Sequence, residues 1–459
     1  MVSSRKSKSN SPEGVEAAVG AALKPLLFAR ARLVLGLSGG LDSAVLLEVL
    51  HRLAGALDFQ LSCVHVNHNI SPNAGRWAAF CARCCKRHDI ALELREVDLE
   101  PYRAEGLEAA ARRARYAVYA GLDDADFIVL AQHQDDQAET LLLQLLRGAG
   151  VKGGSAMPVI RQQGRGRKGK TAPAVLRPML ELTREQIEAY ARARKLEWVE
   201  DESNADTRYD RNFLRHRVLP VLGQAFPAYR ATLARSARHL AEASLVLDQL
   251  AEADAKRTVN GNRLALAGLR RLGLARAKNL LRWLLLQQGE IAPEADRLQE
   301  GLRQLFEAGD DAAVHVVLGT SELRRYAGYA YLLPPLSDPP AEFQRAWDGR
   351  RAWPLPELGG TLRFARRQGA GLACARVPDA GLELRLRQGG EKLRLQAKGS
   401  TRSLKNLLQE ARLPPWQRER LPLIYCGQKL VAVPGLGVAS GWEAGIGEAG
   451  WLISWRPQV

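Results

Sequence analysis

The sequence is short of cysteine, of uninterrupted apolar stretches and of acid relative to base, and each shortage excludes something. Six cysteines in 459 residues cannot make a disulfide scaffold. No segment approaches the roughly 18 consecutive apolar residues of a membrane span. The opening MVSSRKSKSN leads into no apolar signal core, and no lipidation motif or isolated basic amphipathic anchor is apparent. The expectation is therefore a cytoplasmic protein with no membrane partner. The phosphate loop of kinases and GTPases, GxxxxGK followed by Ser or Thr, is absent. A formal GxGxxG at Gly164, Gly166 and Gly169 has no strand before it and no helix close behind, so it is not a dinucleotide signature. No internal repeat of fixed period is found. The shortage of acid carries the most information: 66 Lys and Arg against 50 Asp and Glu give a net charge of +16. Such a field favours a polyanionic partner, nucleic acid first.

What is present is an ordinary globular composition, 46% apolar and 25% charged, at a length that predicts about three domains of ~150 residues. Near the N-terminus, short β-rich runs alternate with helical patterns. Strands are predicted at 33–37, 61–67, 91–97 and 127–132, with helix-length segments between them. That alternation predicts an α/β, Rossmann-like parallel sheet covered by helices on both faces. Ligands of such sheets sit beyond the carboxyl ends of the strands. From about 222 to 310 the chain is rich in Ala, Leu and Arg with helical periodicity, and Pro and Gly cluster at 334–360. The predicted organisation is a catalytic domain at 1–222, a helical domain at 223–340 and a small α+β domain at 341–459. Residues 161–173, with five basic residues and no acid, read as an exposed loop.

The sharpest local signal is Ser38-Gly39-Gly40-Leu41-Asp42-Ser43, directly after a strand and directly before a helix. Paired glycines let the backbone approach a ligand, and the helix start offers unpaired N–H groups and a positive dipole end to a phosphate. Asp42 would repel that phosphate unless a cation lies between them, which points to Mg²⁺. A bare Ser-Gly-Gly would be only a turn, with Asp42 and Ser43 capping a helix; the strand–loop–helix context favours phosphate.

The second signal runs from Gln132 to Thr140, at the end of the fourth strand, and contains His133, Asp136 and Glu139. The two acids are three residues apart and share a helical face. Such a pair can hold an ammonium group, hold Mg²⁺ or accept a proton from a nucleophile. Acids in a first helical turn also simply complement the dipole, which accounts less well for three acids and a histidine together. Two basic runs, Arg112-Arg113-Ala114-Arg115 and Arg211-Asn212-Phe213-Leu214-Arg215, read by themselves as solvated faces or phosphate contacts. Cys81, Cys84 and Cys85 cluster at helical spacing among apolar neighbours, the pattern of buried thiols, and no metal is expected there.

SGGLDS after a strand resembles the pyrophosphate-binding loop of the N-type ATP pyrophosphatases, the PP-loop superfamily. VHVNHN (64–69), EAAARRARY (108–116), QHQDDQAETLLLQLLRGAG (132–150), LRPMLELTREQIEAYA (176–191) and WVEDESNADTRYDRNFLRHRVLP (198–220) narrow the resemblance to the tRNA(Ile)-lysidine synthases. LRLRQGGEKLRL and RSLKNLLQEARLPPWQRERLPLIY resemble that family's last domain. The resemblance implies that ATP adenylates the wobble cytidine of an isoleucine tRNA with a CAU anticodon, and that free L-lysine then displaces AMP. It implies that Ser38, Gly39, Gly40, Leu41, Asp42, Ser43 and His133 bind ATP, with Mg²⁺ on Asp42. It further implies that Arg112, Asp136 and Glu139 bind lysine, that Asp42, Asp136 and Glu139 are catalytic, and that Arg211, Asn212 and Arg215 contact tRNA. Homodimerisation is left open. One departure stands out: where the family often has Leu-Arg after Val-Asn-His, this chain has Asn69-Ile70-Ser71-Pro72. The competing expectations are a PP-loop tRNA thiolase, which would lean on cysteine chemistry, and a non-catalytic tRNA-binding protein.

Overall fold

The computed structural model describes residues 11–163, 172–202, 206–290, 293–309, 312, 314–377 and 381–457. Most of the basic segment expected as a loop at 161–173 lies outside the described residues. The chain forms two compact units, residues 1–247 and 248–459.

In the first unit, α1 (Pro12–Leu23) precedes β1 (Ala31–Gly36), α2 (Leu41–Leu57), β2 (Phe59–Asn67), α3 (Ala74–Arg87) and β3 (Ala91–Glu96). Next come α4 (Leu107–Ala120), β4 (Phe127–Val129), α5 (Gln134–Leu146), β5 (Ile160–Arg161), β6 (Ala174–Leu176) and α6 (Arg184–Ala193). The sheet order is β3-β2-β1-β4-β6-β5, parallel throughout except for β5 against β6. The strands alternate their apolar residues between two cores, as period-two geometry requires. Leu33 and Leu35 of β1 pack with Val45 of α2, Cys81 of α3 and Tyr190 of α6. On the other face Val34 joins Val64, Ile128 and Tyr119 of α4. Both faces of the sheet are thus covered by helices, as the alternating pattern predicted.

The predicted fourth strand is shorter than expected. The ladder stops at Val129, which pairs with Leu35 of β1 on one side and with Leu176, the last residue of β6, on the other. Residues 130–133 therefore continue past the sheet edge, which carries His133 beyond it. The chain builds outward from β1 to β3 and then returns to β4 beside β1. That reversal is the topological switch point at which open α/β sheets bind ligands.

Unit one closes with α7 (Asp210–Phe213), a π-helical turn at Leu214–Val218 and α8 (Leu219–Ala225), and α9 (Tyr229–Thr258) carries the chain onward. In unit two, α10 (Leu266–Gln287) and α11 (Ala295–Glu307) pack on a five-stranded antiparallel sheet of order β7-β8-β11-β10-β9. Its strands are Val259–Asn260, Arg263–Ala265, His315–Leu318, Ser321–Tyr326 and Tyr329–Leu333. The segment expected as a helical domain at 223–340 thus has its long helices and adds to them a small sheet that the sequence reading did not include. Strands of two to six residues carry too few alternations to register against long helices, and β8 finds its partner in β11 some 65 residues away. Beyond residue 340 the chain forms a second five-stranded sheet, a four-stranded sheet and the helix α12 (Leu404–Glu410). None of the helices described is long and apolar enough to cross a membrane.

Candidate active site

The loop after β1 holds itself open by internal hydrogen bonds. Ser43 Oγ accepts from Gly39 N at 3.1 Å and donates to the Gly40 carbonyl at 2.9 Å. Ser38 Oγ accepts from Gly40 N at 3.3 Å and lies 3.1 Å from Ser43 Oγ. Gly39 has φ of +88°, and a Cβ there would sit 3.1 Å from both Cys81 Sγ and Val199 Cγ2; only glycine meets both conditions. Gly40, not Asp42 or Ser43, is the N-cap of α2, and no side chain caps it. The first turn of a 17-residue helix thus keeps its dipole end for an anion.

The second half of the site follows β4. His133 is the N-cap of α5 in a reciprocal capping box: Asp135 N donates to His133 Nδ1 at 3.3 Å, and His133 N donates to Asp136 Oδ2 at 2.9 Å. His133 Nε2 faces Asp42 Oδ1 at 3.7 Å and Asp136 Oδ2 at 3.5 Å. One buried imidazole therefore joins the phosphate loop to the acid pair across the switch point. Asp136 and Glu139 are buried together, Glu139 with 1% exposure.

The structure brings together two groups that the sequence reading had assigned to different ligands. Arg211 Nη2 donates to Asp136 Oδ1 and Arg211 Nε to Glu139 Oε2, both at 2.8 Å. Arg215 donates to both Glu139 oxygens, at 2.6 and 2.9 Å, and to Asp136 Oδ1 at 3.2 Å. Asn212 turns aside and donates to the Asp206 carbonyl at 3.0 Å. Arg112 is not among the partners of the acid pair; its Cζ lies 5.0 Å from the Tyr116 ring centroid.

Three arginines that sequence reasoning passed over complete the network. Arg184 Nη1 donates to both Asp42 oxygens at 2.8 and 2.9 Å. Its backbone N donates to Asp135, which is also ion-paired with Arg230. Arg177 is fully buried and donates to Gln132 Oε1, to the Pro158 carbonyl and to the Tyr116 hydroxyl. Arg177 and Arg184 lie within the LRPMLELTREQ stretch, which was legible as a motif; their partners were not. At the unusual Asn69-Ile70 departure, Arg115 of α4 places its guanidinium 3.3 Å from His68 Nε2. A cleft of about 650 Å³ opens there, lined in part by His68, Ile70, Glu96 and Leu107.

Charges in the site are mutually adjusted. Burial raises the pKa of Asp42 and neighbouring Asp136 adds to this, while His133 and Arg184 offset part of it. Burial pushes Asp136 the same way, but His133, Arg211 and Arg215 outweigh it and hold the carboxylate ionised. Burial opposes protonation of His133; Asp136, Asp135 and Asp42 overcome it, and its pKa stands above the usual 6.5. A raised histidine pKa stabilises the fold fully below the ordinary value, and that contribution is lost as pH rises through the folded-state value. The thermal midpoint of the protein should therefore fall between about pH 6 and pH 9 by more than that of His133→Asn. Parallel slopes would remove His133 from the stability balance.

The half-buried Asp42 and the buried Asp136 beside a phosphate loop form the donor set Mg²⁺ prefers, one or two acids plus substrate phosphates. Among the described residues no three acidic, histidine or cysteine side chains converge as a metal cage. The repulsion that Asp136 exerts on Asp42 is the strain a cation would relieve, so the residues fit a metal delivered with a nucleotide. Cys63, Cys81 and Cys85 are buried in the core beneath the loop, and burial pushes the Cys81 thiol up to about 12.

Fold, loop and switch-point acids define a PP-loop enzyme, and residues 13–222 match the PP-loop domain family. Residues 264–331 match the TilS substrate binding domain and 382–455 the TilS substrate C-terminal domain. The chain is 45% identical to the tRNA(Ile)-lysidine synthase of Nitrosomonas europaea, covering 93% of this chain and 92% of that one. It is 43% identical to that of Chromobacterium violaceum (92% and 94% covered) and 39% to that of Coxiella burnetii (92% and 92%). This chain belongs to the tRNA(Ile)-lysidine synthase family, a family of ligases.

Proposed function

We propose that the protein joins free L-lysine to C2 of the wobble cytidine of the CAU-anticodon isoleucine tRNA, consuming ATP. The observation that carries this reading is the meeting, at His133, of an uncapped phosphate loop and a buried acid pair. Ser38, Gly39, Gly40, Leu41 and Ser43 cradle the ATP phosphates, with His133 beside them. Asp42, with Asp136 across His133, would hold Mg²⁺, which neutralises phosphate charge when bound. Cytidine O2 attacks the α-phosphate and diphosphate departs. The lysine ε-amine, deprotonated by Asp136 or Glu139, then forms the C2–N bond as the C2–O bond to AMP breaks. The 650 Å³ cleft at the ends of β2 and β3 offers nucleoside-sized room.

Asp136 and Glu139 take the lysine ammonium and Arg112 its α-carboxylate. Because Arg211 and Arg215 already occupy the acids, lysine has to replace them. Phosphates of the tRNA draw Arg211, Asn212 and Arg215 outward and free the acids, so lysine binds productively after tRNA. The π-helical turn at Leu214–Val218 suits such a shift, since π turns are local irregularities that favour functional positions. The direct test is incorporation of labelled lysine into a CAU-anticodon transcript with ATP; absence of incorporation by purified protein would end this reading. The cysteine arrangement does not favour a thiolase, and the intact loop and acid pair do not favour a non-catalytic binder.

Residues 223–340 and 341–459 grip and select the tRNA. Within the last segment, Arg385, Arg387 and Arg402 are engaged by Glu383, Glu391 and Glu410. Lys392, Arg394, Lys398 and Lys405 are exposed and make no ion pair with described residues, so their charge is available to phosphates. Replacing these four with Gln should raise KM for tRNA and flatten its salt dependence by roughly one unit of slope per lost contact. KM for ATP should stay constant; an unchanged salt slope would place the tRNA elsewhere.

A further inference from the structure

Three guanidiniums converge on Tyr116, and among the described residues no carboxylate is ion-paired with any of them. The Cζ atoms of Arg112 and Arg161 lie 5.0 and 4.8 Å from its ring centroid. Arg177 Nη2 donates to its hydroxyl at 3.2 Å. Arg177 is 1% exposed, and its other acceptors are the neutral Gln132 Oε1 at 3.1 Å and Pro158 carbonyl at 2.9 Å. None of the three arginines makes an ion pair with a described residue. Stacking on a tyrosine explains one exposed guanidinium. It does not explain three like charges gathered with one of them buried, an arrangement that costs free energy unless an anion completes it.

The position of the cluster identifies the anion. Gln132, which holds Arg177, directly precedes His133 and the acid pair. Glu108, Arg112 and Tyr116 share one face of α4 at i, i+4 spacing, about 6 Å per step along the axis. Burial opposes the Arg211 charge, and Asp136, Glu139 and Glu108 more than restore it; the Glu108 end of that face therefore lies toward the acids, and the Tyr116 end carries the guanidiniums. A ligand lying along it meets acid at one end and base at the other, the charge pattern of an amino acid with a cationic side chain.

We infer that Arg161 is a substrate-specificity residue, forming with Arg112 a two-guanidinium clamp on the α-carboxylate of lysine, with Arg177 behind it fixing Tyr116. This rests on the reading of Asp136 and Glu139 as the ammonium site and adds a carboxylate site that includes Arg161. Arg161→Gln should raise KM for lysine about ten- to a hundredfold, the loss of one charge-assisted bond, with KM for tRNA within about twofold. Arg161→Lys should recover part of the loss. Lysinamide, which lacks the carboxylate charge, should be a poor substrate for the unaltered protein, and Arg161→Gln should narrow the gap between lysine and lysinamide. An unchanged KM for lysine overturns the inference. So does a raised KM for tRNA with a reduced salt slope, because the clamp would then hold a backbone phosphate. Asp136→Asn is the parallel control: if it leaves KM for lysine unaltered, the ammonium reading has failed; if it raises KM while Arg161→Gln does not, only the clamp has.

Discussion

Asp42→Asn should reduce tRNA-dependent diphosphate and AMP release by a factor of about a thousand or more, with the fold intact. The substitution keeps the size of a side chain that sits between the phosphate loop and His133 and removes only its charge. That charge is what would hold Mg²⁺ against the ATP phosphates, and electrostatic stabilisation of transferring phosphoryl groups is usually the largest catalytic term. Burial raises the Asp42 pKa and Arg184 counters it, so the carboxylate is costly to maintain and its loss should not lower the thermal midpoint much. Turnover near that of the unaltered protein would exclude Asp42 from the metal role. A collapse in stability would instead mark it as a structural partner of Arg184.

Glu139→Ala should do the opposite, removing both stability and lysine transfer. Glu139 is 1% exposed and accepts three hydrogen bonds from Arg211 and Arg215. Truncating one partner of a buried ionic group strands the others, at a cost of roughly 3 kcal/mol. Relieving the stranded charge separates the two effects. Adding Arg215→Met to Glu139→Ala should regain a good part of the thermal midpoint while leaving lysine incorporation at background. If the double variant recovers incorporation, Glu139 is only a brace for the arginines and Asp136 alone serves the ammonium. If Glu139→Ala is as stable as the unaltered chain, the ion-pair cluster contributes nothing to the fold. Diphosphate release, which precedes lysine attack, should persist in the double variant and confirm that the ATP half still works.

The catalytic unit was readable along the chain because its signals are local. Strand-length apolar runs separated by helix-length segments imply a parallel sheet, and the loop SGGLDS announces itself by its place between a strand and a helix. His133, Asp136 and Glu139 are spaced three residues apart over about two helical turns, so spacing alone puts them on a common edge. The loop's geometry is local in the same way: glycine at positive φ and an uncapped helix start are properties of six consecutive residues. The small sheet of unit two was not legible, because its strands are two to six residues long and find partners far away in the chain.

Sequence by itself determined the fold class of the N-terminal unit, the phosphate loop, the acid pair and the need for a polyanionic partner. Only the tertiary structure decided what those acids face. Arg211 and Arg215, 72 to 79 residues distant from them, read as phosphate contacts from their i, i+4 spacing, and the folded chain pairs them with Asp136 and Glu139. The same holds for Arg184 on Asp42 and for Arg112, Arg161 and Arg177 around Tyr116. The reason is physical: an arginine's spacing reports which way it projects from its own helix, whereas its partner is set by whichever carboxylate or ring the folded chain brings within about 4 Å, and no one-dimensional pattern encodes that distance.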